Sequence, residues 1–163
     1  MLIEISGVCQ HCSAEVKVLM LNGGPLDHCA SCGKSPLSAR AIKGLIYVVS
    51  NPNQIGVKVG LTTRSMEQRL KSLSSTGVPG DFVTVAIFPS DRPNQDEKRV
   101  HEKLRRFNIA KEHFDLDPID AVLKAYRALN KRRPIFFDKE VEKIFYLKLD
   151  QARIQMQLRL NRA

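Results

Sequence analysis

All four cysteines of this 163-residue chain fall within its first 32 positions, as Cys9 and Cys12 in CQHC and Cys29 and Cys32 in CASC, two Cys-x-x-Cys pairs separated by 16 residues. That is the spacing of a four-thiolate zinc site, in which each two-residue gap lets a tight turn aim both sulfurs of a pair at one tetrahedral centre. Gly33, directly after Cys32, suits the left-handed backbone such a knuckle requires. Between the pairs AEVKVLM alternates as a strand does and NGGP is a turn, so a small hairpin brings the knuckles together. About 40 residues cannot bury enough apolar surface to fold alone, and a structural zinc worth roughly 10 kcal/mol or more makes up the shortfall. The alternatives are two disulfides or a redox Cys-x-x-Cys, which would not need duplication. His11 and His28 sit beside the ligands, but four thiolates already close a structural site.

No run approaches the roughly 18 apolar residues that would span a membrane, and the N-terminus MLIEISGVCQHC lacks a basic then apolar leader, so a cytoplasmic protein is expected. The net charge of +9 is uneven: six of the nine excess positive charges lie in residues 118–163. A basic segment attached to a nearly balanced domain is an electrostatic foothold for nucleic acid, although many soluble proteins are basic for no such reason.

GKSPLSARAIKG reads as a linker, so the main domain begins near Ala41. LIYVV and GVKVGL are two β-rich runs joined by SNPNQI, and the alternation in the second puts Lys58 on the face opposite Val57 and Val59. Ser65 starts a helix through a Ser65-x-x-Gln68 capping box, with Met66, Leu70 and Leu73 as its buried stripe. Arg69 falls on that stripe, and an unpaired buried charge costs several kcal/mol, so it calls for an anionic partner, a carboxylate or a phosphate. STGVPG ends the helix, DFVTVAIF supplies a third strand, and SDRPNQ leads to a helix with Val100, Leu104 and Phe107 inward. Glu97 and His101 flank that apolar side; Glu97 is either a cleft residue or the return arm of an Asn94-x-x-Glu97 capping box, and His101 either a cleft residue or a satisfied half-buried histidine. EHFDL is a short extended piece, after which an Asp117 cap, Pro118 and Ile119, Val122, Leu123, Tyr126 and Leu129 describe an amphipathic helix. The order indicates an α/β (α+β) domain, a small three-stranded sheet flanked by helices, preceded by the ribbon and followed by a long C-terminal helix. The boundaries read as 1–40, 41–130 and 131–163.

LIYVVSNP with Tyr47, VKVGLTT with Lys58 and Gly60, RSMEQRLKSLSSTGVP with Arg69, DEKRVHEKL with Glu97 and His101, and KEHFDL together resemble the GIY-YIG nuclease superfamily, in its phage-type branch related to meiotically up-regulated gene 113. The resemblance covers about 75 residues, Gly44 to Leu116. It implies metal-dependent phosphodiester hydrolysis, in DNA rather than RNA. Glu97 would be the single protein ligand of Mg(II) or Mn(II), Arg69 would clamp the scissile phosphate, and Tyr47 would orient or deprotonate the attacking water. Lys58, where other branches have a second Tyr, and His101 would assist proton transfer or bind phosphate. The first tripeptide reads Leu-Ile-Tyr here, and Asn108 is the nearest candidate for the Asn that many members place after the metal-binding Glu.

Lys131, Arg132 and Arg133 follow the amphipathic helix and either meet phosphates or form a solvated helix end. From Asp138 a last helix carries Ile144, Leu147, Gln151, Ile154 and Leu158 at 3-4-3-4 spacing, a homodimer seam or a face docked on the domain. Two further readings stand beside the nuclease: a non-catalytic nucleic-acid-binding module using ribbon and basic tail, and a protein-assembly factor.

Overall fold

In the computed structural model, which describes residues 1–22, 24–38, 42–74 and 79–160, the chain parts into two units, Met1–Ala41 and Ile42–Ala163. The first is built on a strand absent from the sequence reading. β1 (Leu2–Val8) pairs antiparallel along its whole length with β2 (Glu15–Leu21), which pairs in turn with the short β3 (Gly24–Pro25). The first cysteine knuckle is therefore the turn of a β1–β2 hairpin, and the second follows β3. Of the strand residues only Val18 and Met20 are buried, so this sheet has little core of its own and depends on its knuckles. Of the linker, residues 39–41 lie outside the described residues, as do 75–78 of the stretch expected to end the first helix.

The second unit runs β4 (Gly44–Ser50), β5 (Val57–Thr62), α1 (Met66–Ser74), β6 (Val83–Ser90), α2 (Pro93–Leu104), a 3-10 turn (Arg105–Phe107), β7 (Asn108–Ala110), β8 (His113–Phe114), α3 (Pro118–Ala128), β9 (Ile135–Phe136) and α4 (Lys139–Leu160). The three expected strands form the antiparallel centre β5-β4-β6, and the two- and three-residue strands widen the sheet to β7-β8-β5-β4-β6-β9. Both faces of the centre are covered, which is why LIYVV reads as an unbroken apolar run. Ile46, Val48, Val57 and Val59 pack with residues of α2, α3 and α4, whereas Tyr47, Val49, Phe82 and Ile87 pack under α1 with Leu73. Lys58 and Gly60 share the Tyr47 face, as the alternation required.

The caps place the helices. Ser65 Oγ accepts the Gln68 amide at 3.3 Å, and Asp117 Oδ1 accepts the amides of Ile119 and Asp120 at the head of α3, with Pro118 in the first turn. At α2 the expected capping box does not form. Pro93 occupies the first turn and Arg92 the cap, so Asn94 lies inside the helix and Glu97 is freed from any return arm. The start of α2 is fixed instead by buried Asp96, whose Oδ2 accepts from Ser90 Oγ and from Arg132 Nη1, both at 2.6 Å; the same guanidinium nitrogen donates to the Pro89 carbonyl at 3.0 Å. Asp96 thus ties the end of β6, the head of α2 and the turn after α3 into one knot.

α4 docks through Phe145 and Leu149, with Val141 partly buried, in the same core as α2 and α3. The stripe read from the sequence lies on another face: Ile144, Leu147, Ile154 and Leu158 are all exposed. Among the described residues no helix is long and apolar enough to cross a membrane.

Burial opposes ionisation of Asp96, but the hydrogen bond from Ser90 and the charge of Arg132 outweigh it and hold the carboxyl below its usual range. A depressed folded-state value stabilises the protein above the ordinary carboxylate range, and the benefit disappears as pH falls through that value. Asp96→Asn is expected to cost about 2 kcal/mol at neutral pH in urea unfolding, with the gap to the wild type closing in acid below the usual carboxylate range.

Candidate functional site

β8 pairs with β5 only at Val57 and Lys58, so the outward backbone groups of the rest of β5 need other partners. Three of them find these in side chains and loops. The Val59 amide donates to the Glu112 carbonyl at 3.0 Å, the Val59 carbonyl accepts from His101 Nε2 at 2.9 Å, and the Leu61 amide donates to Glu97 Oε1 at 2.9 Å. Glu97 and His101, one turn apart on α2, therefore stand in for a missing strand. Because a carbonyl can only accept, His101 carries its proton on Nε2. Both side chains are half-buried, and among the described residues nothing else bonds the Glu97 carboxylate, so Oε2 retains its full acceptor capacity.

On the α1 face, Tyr47 is wholly buried (0% exposed) directly opposite Gly60. A Cβ at residue 60 would stand 2.6 Å from the Tyr47 hydroxyl oxygen and 2.9 Å from Cζ, so the phenol occupies the space that glycine leaves. Arg69 reaches down from α1 and donates to that oxygen from Nε at 3.0 Å and Nη2 at 2.7 Å, its guanidinium 5.3 Å from the ring centroid. Of the two anionic partners expected for Arg69, a carboxylate or a phosphate, no carboxylate pairs with it among the described residues; a neutral phenol oxygen takes both donors. Burial raises the Tyr47 hydroxyl above its usual value; Arg69 pulls the other way, while Glu112 and Glu97 add to the rise.

Glu112 is a site residue that the sequence reading did not single out. Its Oε2 lies 3.4 Å from Lys58 Nζ and would be 3.3 Å from a Cβ at residue 60, so it neutralises Lys58 beside the phenol. Nearby His113 is held below the usual imidazole range by burial and by the charge of Lys58, and its Nε2 meets Gln54 Oε1 at 2.8 Å. Asn108 is spent as a staple: its Nδ2 donates to the carbonyls of Lys111 and His113 across the β7–β8 turn.

A cleft of about 270 Å³ opens beside Arg69, lined by Leu61, Thr62, Arg64, Gln68 and Ser72 among others. Leu61 belongs to the cleft wall, and although its side chain packs with the core on the opposite face of the sheet, its amide is held by Glu97. The structure thus gathers Tyr47, Lys58 and Arg69 on one face of β5 and Glu97 and His101 on its open edge. Lys131, Arg132 and Arg133 are elsewhere, after α3; Arg132 is turned inward to Asp96, while Lys131 and Arg133 are exposed.

In the ribbon the four Sγ atoms lie within 4.8 Å of one another, with Cys9–Cys32 and Cys12–Cys29 both at 3.7 Å. A tetrahedron with metal–sulfur bonds of about 2.3 Å has edges of about 3.8 Å, so the cluster could hold a metal such as zinc. The two knuckles are local copies. The amides of Ser13 and Gly33 donate to the carbonyls of Cys9 and Cys29, those cysteines' own amides donate to Ala14 and Lys34, and Ser13 and Gly33 both take the left-handed conformation, at φ 60° and 69°. Backbone amides of Cys32 and Ser31 hold the Cys29 thiol down at about 6. Cys12 goes the other way: the Ala14 amide lowers it, but burial and the three neighbouring sulfurs drive it to about 12. Four thiols so close cannot all ionise without a cation among them. His11 and His28 are exposed at the rim.

Residues 44–131 match the family described as the T5orf172 domain, more than half of the chain, and the chain belongs to that family. It is a phage-associated domain related to endonuclease-type folds, which points to a nuclease-like or nucleic-acid-related function. No curated protein and no solved structure matches the chain.

Elemental analysis of protein purified under reducing conditions should find about one zinc per chain, and Cys29→Ser should lose it together with the ribbon's fold. Gly60→Ala should cost about 1–3 kcal/mol by overpacking against the phenol. In a double-mutant cycle Tyr47→Phe should relieve part of that cost, since the closest contact is to the hydroxyl; strict additivity would show the two side chains do not meet.

Proposed function

We propose that the chain is a metal-dependent nuclease of the GIY-YIG kind acting on DNA, its ribbon held by a structural zinc. The observation that carries this reading is that Arg69 lines the same cleft as Leu61, whose amide Glu97 holds. A half-buried carboxylate with one oxygen fixed and one available suits a hard cation that keeps most of its waters, as Mg(II) and Mn(II) do. Such an ion would supply Lewis-acid polarisation and a more acidic bound water. Arg69 presents a planar charge with two of its donors already aligned, and a phosphate is the anion that would complete its pairing.

Tyr47 is an orienting group here. A buried phenol pushed above its ordinary value has almost no phenolate at neutral pH, so its role is to fix Arg69 through its oxygen rather than to take a proton from water. Lys58, neutralised by Glu112, positions that carboxylate against the phenol. His101, whose Nε2–H is held by the Val59 carbonyl, presents Nδ1 as its remaining acceptor.

The full burial of Tyr47 and the ion-paired Lys58 at the second tripeptide also favour a second reading, a domain that binds nucleic acid without cutting it. Plasmid nicking with Mg(II) or Mn(II) separates the two. The wild type should nick, and Glu97→Ala and Arg69→Ala should each slow it about 100-fold or more. A wild type no faster than Glu97→Ala sinks the nuclease; salt-dependent binding without cleavage would then establish the binding module.

A further inference from the structure

Two grooves on the helical side of the second unit share one wall residue. Lys98, Arg99 and Lys103 of α2 face Arg127 of α3 across a groove of about 720 Å³. Arg127 also lines, with Lys131 and with Arg153 and Arg159 of α4, a groove of about 440 Å³ between α3 and α4. Seven cations thus follow one another across three helices and the turn after α3, all of them exposed. The carboxylates among them are few: Asp96 reaches Arg99 at 3.8 Å, Asp150 reaches Arg153 at 3.3 Å, and Glu102, which lines the first groove, lies 3.8 Å from Arg105. Among the described residues Lys98, Lys103, Arg127, Lys131 and Arg159 have no ion-pair partner.

Charge held so densely with little counter-charge raises the folded protein's electrostatic energy, and a polyanion lying on it relieves that cost. Three adjacent helices at 8–10 Å between axes put about 20 Å between the outer rows. A duplex carries one phosphate charge per about 1.7 Å of axis, so a segment of that length offers about twelve. We propose that this belt is the track for a nucleic-acid duplex backbone, bound through its phosphates without base readout. The side chains are long, flexible point charges and forks, and the belt offers almost none of the amide groups that read base edges. The partial negative charge at the C-terminus of α3 opposes an anion there, and Arg127 and Lys131 offset it. The proposal rests on the nucleic-acid reading above but assigns the contact to residues outside the cleft; α2 links the two, carrying Glu97 towards β5 and Lys98, Arg99 and Lys103 to the belt.

The test uses the full chain and a fluorescent 20-base-pair DNA duplex, titrated by anisotropy from 50 to 300 mM salt without added divalent metal. Lys103→Gln, Arg127→Gln and Arg159→Gln combined, one from each helix, should lower the slope of log K against log salt by about 2 to 3 and weaken binding about tenfold or more at 0.1 M salt. Lys139→Gln with Lys143→Gln, equally exposed but outside both grooves, should leave slope and affinity as in the wild type. Thermal melting checks that both variants fold. A triple variant that keeps the wild-type slope overturns the belt and leaves the nuclease reading standing if the wild type still nicks DNA. If the wild type binds no duplex at any salt, the belt fails with the nucleic-acid reading; if it binds an acidic polypeptide instead, the belt belongs to a protein partner and the proposal fails.

Discussion

The open edge of β5 is the constraint around which the second unit is arranged. A strand at the centre of a domain cannot leave its amides and carbonyls without partners, yet β8 covers only two residues of that edge. The deficit is met by the Glu112 carbonyl and by Glu97 and His101. Meeting it fixes α2 against the sheet, sets the depth of Glu97 and orients its carboxylate. The same bonds that complete the fold therefore hold the proposed metal ligand, and any change at Glu97 acts on backbone satisfaction as well as on chemistry.

The other half of the site is organised from the opposite side of the sheet. Gly60 admits the Tyr47 phenol, the phenol receives two donors from Arg69, and Arg69 is thereby held off solvent beside the cleft. The chain of support runs backbone, ring, guanidinium, and each step needs the previous one in place. A guanidinium with its direction already fixed loses less freedom on meeting a phosphate than a free side chain would.

What could be read from the residues beforehand divides along physical lines. The cysteine knuckles were legible because ligand geometry is local, a turn of four residues repeated twice. The three central strands, α1, and α3 with its Asp117 cap were legible because periodicity and caps act within one element. Arg69 falls on the stripe that faces the sheet, as read, but the phenol that takes its donors was not foreseen, since Tyr47 lies on a strand distant in sequence. The role of Glu97 on an edge depends on which strand ends short, and Glu112 comes to the site only through β8; neither is a property of its own segment. On α4 two apolar stripes coexist on neighbouring faces, and only the packed core decides that Phe145 and Leu149, rather than Ile144 and Leu147, turn inward. Of the three cations after α3, Arg132 alone finds a buried carboxylate among the described residues, a choice set by Asp96 on a distant helix.

A Cβ at residue 60 would stand 2.6 Å from the Tyr47 hydroxyl, which makes two positions distant in sequence a single packing unit. A side chain at residue 60 would require the aromatic ring to shift or to lose its hydroxyl. Residue 60 therefore answers to Tyr47 across the hairpin rather than to its neighbours in sequence.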